Sequence, residues 1–123
     1  MRKPDIKGLT KLARFIERTP KKNFDMRYWW QETPCGTSGC IAGHAAALFP
    51  HRFRKVSYGK NIGSNITDYE VVHRRTGVGG ECAFAEGFHI SDDAAEKLTM
   101  TGMRRTPKQA AKAIMALVDK LKK

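Results

Sequence analysis

The stretch 33–49 constrains the fold more than any other part of the chain, because it contains three glycines, two cysteines and a histidine. A hydroxyl of Thr37 or Ser38 can cap a helix that begins there, and the helix would run to Phe49, since Pro50 cannot continue it. Helical spacing places three small residues on one nearly bare face, where another backbone can approach closely: Gly39, Gly43 and Ala47. We therefore predict a central glycine-rich helix in this stretch.

Other segments carry the signals of further short helices. Apolar residues return every three or four positions over residues 5–18, which is typical of an amphipathic helix, and Asp5 can cap its start. Gly87 can close a short helical turn, and Ser91 can cap the helix that follows it. Thr106 and Gln109 form a capping box around a proline, which predicts the start of a last helix.

Residues 53–58 and 69–74 partly alternate between apolar and polar side chains, as half-buried strands do. We interpret residues 50–80 as an insertion with a small β-hairpin, and residues 77–80 as a turn instead of a phosphate loop. A length of 123 residues suits one hydrophobic core and not two. We predict a single compact α+β domain, residues 1–123, predominantly helical, with about five short helices around the central glycine-rich helix.

Four aromatic residues and a methionine lie within residues 24–30. Asp25 can cap a short helical turn that presents Met26 and either Trp29 or Trp30 to the core. Exposed tryptophan pairs can instead serve as stacking platforms for nucleobases. Because large aromatic side chains dominate burial in a domain of this size, we predict core positions for the two tryptophans.

The net charge of +11 is unevenly distributed along the chain. Residues 1–27 hold nine Lys or Arg against three acids, and residues 104–123 hold seven against one. Four cations are predicted on the outer face of the first helix and four around the start of the last: Lys7, Lys11, Arg14 and Arg18, then Arg104, Arg105, Lys108 and Lys112. Two positive segments of this kind predict an anionic partner, which these eight residues would bind.

Nucleic acid is the first candidate for this partner, bound mainly through its phosphates, because the sequence shows no helix-turn-helix, zinc finger or aromatic-studded strand that would read bases. An acidic protein surface is the second candidate. No apolar run approaches the ~20 residues that cross a bilayer, so we expect no membrane partner. Three cysteines without an apolar signal segment predict reduced thiols in the cytoplasm.

From Cys35 to Ala45 the sequence reads Cys-Gly-Thr-Ser-Gly-Cys-Ile-Ala-Gly-His-Ala, after an aromatic stretch that contains Phe24–Met26 and Trp29. This pattern resembles small, uncharacterised proteins of phages and bacteria with a Phe-Asp-Met-x-x-Trp stretch and a Cys-Gly-Thr-x-x-Cys-x-Ala-Gly motif. The resemblance covers most of the chain except residues 50–80, and it supplies no activity. It implies a phage-type accessory protein in the host cytoplasm, with inhibition of a host defence complex as an alternative function.

The cysteines and histidines allow three interpretations. The first is a zinc site, although the spacing Cys-x4-Cys-x3-His fits no common finger; its ligands would be Cys35, Cys40, His44, and Cys82 or His89. The second is a hydrolase or transferase, in which Cys40 in the first turn of a helix is the nucleophile and His44 or His73 the base. The third, which we prefer, is a buried structural cysteine, with no enzymatic activity and no cofactor.

Overall fold

The computed structural model describes residues 3–34, 36–61, 66–100 and 105–123, without the side chains of residues 58–61. This part of the chain forms five α-helices and one four-stranded antiparallel sheet, which is an α+β fold. The helices are α1 (Ile6–Glu17), α2 (Ile41–Leu48), α3 (Gly80–Phe88), α4 (Asp92–Thr99) and α5 (Pro107–Leu121). The strands are β1 (Trp30–Thr33), β2 (Gly36–Gly39), β3 (Phe53–Asn61) and β4 (Ile66–His73).

The sheet has the strand order β2-β1-β4-β3, and it is larger than the small inserted hairpin predicted from the sequence. β3 and β4 do form a hairpin, but Trp30 of β1 pairs with Tyr69 of β4 and so extends it into one sheet. β1 and β2 form a second hairpin, in which Trp30 lies opposite Gly39. The predicted insertion therefore supplies half of the sheet, and its description as a separate small hairpin is wrong.

The predicted central glycine-rich helix is also wrong. Thr37 and Ser38 lie in β2, where they pair with β1 instead of capping a helix. Helix α2 begins only at Ile41, after Cys40 as N-cap residue, and it contains a single glycine, Gly43. Glycine lacks a Cβ and is compatible with many backbone conformations, so the glycine spacing alone did not distinguish a strand followed by a helix from one longer helix.

Gly43 nevertheless makes the close contact with another backbone that the spacing of small residues predicts. A Cβ atom on Gly43 would overlap the carbonyl oxygen of Trp29 and would lie 3.1 Å from Cε3 of Trp30. Gly39 of β2 faces the same two residues, because its Cβ atom would lie 2.7 Å from the Trp29 oxygen and 2.6 Å from Trp30 Cε3. The two glycines therefore allow α2 and β2 to pack directly on the backbone that enters β1.

The predicted helix starts are confirmed where a side chain caps the helix. Gly8 N–H donates to the carboxylate of Asp5 at 2.9 Å at the start of α1. Ser91 caps α4, and Thr106 forms the predicted capping box with Gln109 at the start of α5. Gly87 does not end α3, because it is buried within the helix against the ring of Phe53.

The apolar faces of α1 and α5 meet, since these two helices pack directly against each other. The side chains that form this part of the core are inaccessible to solvent: Leu9, Leu12, Ile16, Ile114 and Val118. Helix α2 contacts α1, α3, α4 and the sheet, and residues 41–46 are all buried. The core therefore lies between the helices and the inner face of the sheet.

The two edges of the sheet differ in their surroundings. Along β2, the Asn23 side-chain amide donates to the Thr37 carbonyl at 2.7 Å, and Asp25 N–H donates to the Gly39 carbonyl at 2.9 Å. β3 forms the other edge, and in the described part of the chain no strand pairs with its outer side. Arg54 and Lys55 are exposed on this edge strand. The β2 edge is thus covered by the preceding segment, and the β3 edge carries positive charge.

We expect Gly43→Leu to lower the free energy of unfolding by about 1–3 kcal/mol or more, because the added side chain has no space beside the Trp29 carbonyl. Chemical denaturation followed by circular dichroism measures this change. Ala47→Leu is the matched control, since Ala47 lies one turn further along α2 and is exposed. An unchanged denaturation midpoint in Gly43→Leu would contradict the packing of α2 on the β1 backbone.

Candidate functional site

Cys40, the candidate nucleophile, is buried beneath the Trp29 backbone at the start of α2. Its side chain is 1 % exposed, and its thiol donates weakly to the Trp29 carbonyl oxygen at an Sγ–O distance of 3.8 Å. Burial raises the pKa of Cys40 to about 11, because the thiolate would lose its hydration; the N–H groups of Ala42 and Gly43 offset only part of this. Cys40 is therefore a neutral thiol near pH 7, and this state does not support nucleophilic catalysis.

His44 lies one helical turn after Cys40 and is also buried, with 3 % of its surface exposed. Its Nδ1 lies 2.9 Å from the Cys40 carbonyl oxygen, which can only accept a hydrogen bond, so Nδ1 carries the proton. The ring packs among Phe15, Phe24 and Trp30, with centroid distances of 6.0, 5.4 and 5.6 Å. Burial lowers the pKa of His44 and keeps the ring neutral.

The structure brings Cys40 and His44 together, but as core residues. The imidazole binds the Cys40 carbonyl and is not hydrogen-bonded to its thiol. His73 lies on β4 with its ring against Phe53, and its Nδ1 is 3.2 Å from the Thr76 hydroxyl oxygen. A catalytic arrangement of Cys40 with either histidine thus finds no support in this geometry.

The predicted zinc ligands are not gathered into one site among the described residues. Cys82 is exposed on α3, whereas Cys40 and His44 are buried at the start of α2. Cys35 lies outside the described residues. Within the described ranges no group of three or more His, Cys, Asp or Glu side chains is arranged to hold a metal ion.

The predicted basic face of α1 lines a single open groove of about 880 Å³. All four predicted cations of this helix belong to it and are exposed: Lys7, Lys11, Arg14 and Arg18. Asp5 at the end of the groove is already paired with Arg52, at 2.6 Å. None of the four cations forms an ion pair with an acid among the described residues. The groove is therefore an uncompensated positive surface.

The predicted cations of the last helix lie elsewhere. Lys108 and Lys112 are exposed on α5, and the Arg105 guanidinium donates to the Leu98 carbonyl of α4 at 3.1 Å. Neither Arg105 nor any residue of α5 lines the α1 groove as the structure describes it. Arg104 lies outside the described residues. The seven of the eight predicted residues that the structure describes therefore do not line one continuous groove, although α1 and α5 pack side by side.

Two further cavities are lined mostly by residues that the sequence did not mark as functional, Arg105 being an exception. The first, of about 550 Å³, lies between α4 and α5 and is largely apolar, with Lys97, Arg105 and Lys120 among its lining residues. The second, of about 270 Å³, is lined by Tyr28, Trp29 and their neighbours beside β1 and β4. Trp30 is buried, as predicted, but Trp29 is only half-buried. Successive side chains of a strand lie on opposite faces of the sheet. Recognition of β1 in the sequence would therefore have predicted that only one of Trp29 and Trp30 faces the core.

No helix in the described parts of the chain combines the length and the apolar character needed to cross a membrane. In comparisons with known proteins, the chain matches no family model, no curated protein and no solved structure.

We expect a maleimide to label Cys82 rapidly in the folded protein and to leave Cys40 unlabelled, because Cys82 is exposed and Cys40 is a buried thiol. Peptide mass spectrometry after timed labelling near neutral pH distinguishes the two sites. Denatured protein is the control, in which both cysteines should react. Rapid labelling of Cys40 in the folded state would contradict its assignment as a structural residue.

We expect acidification through the unfolded-state pKa of histidine to destabilise the fold through His44. The folded state holds the His44 pKa below its usual 6.5, so the unfolded chain binds this proton first and acid favours unfolding. The contribution is at most ~1.4 kcal/mol per pH unit. Denaturation curves between neutral and mildly acidic pH should show a shallower dependence on pH in His44→Gln than in His51→Gln, the exposed control. Equal pH dependence in both variants would contradict this role.

Proposed function

We propose that the protein binds nucleic acid through its phosphate groups, with the four cations of α1 as the principal contact. The single observation that carries this proposal is the α1 groove, in which Lys7, Lys11, Arg14 and Arg18 lie together without an acidic partner among the described residues. Cations on a folded protein surface attract an anionic polymer and release its counterions on binding. The net charge of +11 adds a long-range attraction of the same sign.

The spacing of these cations suits an extended row of phosphates. They follow one another at intervals of four, three and four residues, so the stripe extends about 16 Å along the helix axis at ~1.5 Å per residue. One strand of a nucleic acid places about five phosphates over that length, at ~3.4 Å per nucleotide along the duplex axis. Long lysine and arginine side chains can adjust to individual phosphate positions, so strict register is not required.

The chemistry of the α1 groove favours binding that is independent of sequence. Its charged side chains are cations, which bind phosphate oxygens, apart from Asp5, which Arg52 neutralises. Thr10, the uncharged polar residue of the groove, donates its hydroxyl to the Ile6 carbonyl at 2.8 Å. Contacts to phosphates position a protein on nucleic acid without reading bases.

An acidic protein partner is the second candidate, and the groove between α4 and α5 favours it. That groove combines apolar side chains with Lys97, Arg105 and Lys120, which suits an amphipathic helix with acidic flanks. Inhibition of a host protein complex, as implied by the resemblance to phage proteins, would use such a surface. We prefer nucleic acid, because Lys97 is already paired with Asp93 at 3.2 Å, whereas the α1 cations have no acidic partner among the described residues.

We expect changing Lys7, Lys11, Arg14 and Arg18 together to glutamine to weaken nucleic-acid binding and to flatten its salt dependence. If each cation neutralises one phosphate, the slope of log K against log salt should fall in magnitude by about 3–4 units. Fluorescence anisotropy with labelled DNA and RNA over a salt series measures the slope. Thermal denaturation should be nearly unchanged, because all four side chains are exposed.

A second variant with the same loss of charge distinguishes binding through the α1 groove from attraction by net charge alone. Changing Lys21, Lys22, Arg54 and Lys123 to glutamine removes four exposed cations outside the α1 groove. This control should retain most of the slope. If both variants lose affinity equally, net charge and not the α1 groove drives binding. If the wild type binds neither DNA nor RNA at low salt, the nucleic-acid proposal fails and the protein-partner candidate takes its place.

A further inference from the structure

Helix α5 carries a second apolar stripe beside the one that it buries in the core. The first stripe, which includes Ile114 and Val118, is inaccessible to solvent. The second lies about a quarter turn away around the helix. Its side chains are half-buried or exposed and line the groove between α4 and α5: Ala113, Ala116, Leu117 and Leu121. An apolar stripe that the core leaves partly uncovered is typical of a surface that binds a partner.

The shape of this groove suits one face of a helix. It has a volume of about 550 Å³, and its α5 wall extends from Ala113 to Leu121, which is about 12 Å at ~1.5 Å per residue. Ala94 and Leu98 of α4 form the opposite wall. A whole α-helix, about 10 Å in diameter, does not fit in this volume, but the apolar side chains along one of its faces do. The alanines on both walls let another helix approach closely.

The walls of the groove favour a helix over an extended peptide. An extended peptide binds by adding a strand to the open edge of a sheet, where backbone N–H and C=O groups are available. Here both walls are α-helices, and their backbone groups are hydrogen-bonded within each helix. An occupant therefore gains its affinity from side-chain packing, which an amphipathic helix supplies at intervals of three and four residues.

The charges around the groove favour an acidic occupant. The lining contains three cations, Lys97, Arg105 and Lys120, and one acid, Asp93, which leaves a net charge of +2. Asp93 and Lys97 form an ion pair at 3.2 Å, but their side chains are 76 % and 70 % exposed, so the pair contributes little and can rearrange. Arg105 donates one N–H to the Leu98 carbonyl and keeps the other donors of its guanidinium. Lys120 forms no ion pair with an acid among the described residues.

We propose that the groove between α4 and α5 binds an amphipathic helix of a protein partner, with leucine-sized side chains in the groove and Asp or Glu on the flanks. The groove shares no lining residue with the α1 groove. Occupation of one therefore leaves the residues of the other accessible, so the protein would connect an anionic polymer to a protein that carries such a helix. This inference goes beyond the proposed function and does not depend on it, because no residue of α1 takes part.

The test uses the whole protein and a fluorescent synthetic peptide of about 18 residues, or five helical turns. Leucines at every third and fourth position form one face of this peptide, and glutamates fill the other positions. Fluorescence anisotropy should show saturable binding to the wild type. The same peptide with lysines in place of the glutamates should bind at least about tenfold more weakly, because like charges then meet across the interface. A version with a central proline, which interrupts the helix, should also lose affinity.

A substitution in the groove locates the binding site. Ala116→Glu places a carboxylate on the exposed part of the stripe and should weaken binding of the acidic peptide by about tenfold or more. Ala47→Glu, on the exposed face of α2 and outside the groove, is the matched control and should leave the affinity unchanged. The variant with Lys7, Lys11, Arg14 and Arg18 changed to glutamine should also retain the affinity. Thermal denaturation confirms that each variant is folded.

Four results would overturn this inference. The first is equal affinity for the acidic and the basic peptide, and the second is an equal effect of Ala116→Glu and Ala47→Glu. The third is loss of peptide binding in the α1 variant, which would place the peptide in the α1 groove. The fourth is a dimer in sedimentation experiments that Ala116→Glu dissociates, because a second copy of the chain would then occupy the groove. Failure of nucleic-acid binding would overturn the proposed function and leave the peptide measurement unaffected.

Discussion

The direct contact of α2 and β2 with the backbone of Trp29 and Trp30 is the constraint on which the rest of the fold depends. It is possible only because Gly39 and Gly43 present no side chain at the contact. The Cys40 N–H donates to the Tyr28 carbonyl at 2.9 Å and so holds the start of α2 against the chain entering β1. This contact joins the helical layer to the sheet, and it places Cys40 and His44 beneath the two tryptophans.

The helices were predictable where the sequence contains its own start signal. Asp5, Ser91 and Thr106 each cap a helix by accepting from an N–H three residues later, and such a contact depends on local sequence alone. The hairpin of β1 and β2 was not predictable in the same way. Its strands have four residues each, and β1 is stabilised by pairing with residues almost forty positions away, as Gln31 with Asp68 shows. Short strands without clear alternation give no signal that sequence reasoning can separate from a loop or a helix.

The candidate site likewise has one part that the local sequence predicts and one part that it does not. The basic stripe of α1 could be predicted, because a regular helix places residues three and four apart on one face, and Lys7 and Lys11 do share a groove. The groove between α4 and α5 could not, since its walls belong to two helices whose packing depends on the whole core. The role of catalytic nucleophile suggested for Cys40 finds no support in the structure, for a related reason. Closeness to His44 in sequence says nothing of burial, which here makes both groups neutral.

The two edges of the sheet differ in what a second copy of this protein would meet there. An open edge strand is a template for another strand, so in a folded protein it is a site of self-association. Here Arg54 is exposed on that edge strand, and a second copy approaching the edge would bring its own Arg54 close to this one. Their repulsion acts over about 8–10 Å at moderate ionic strength and shortens as salt increases. The positive charge on which the proposed binding of an anionic polymer depends would thus also oppose the extension of one copy of the sheet by another.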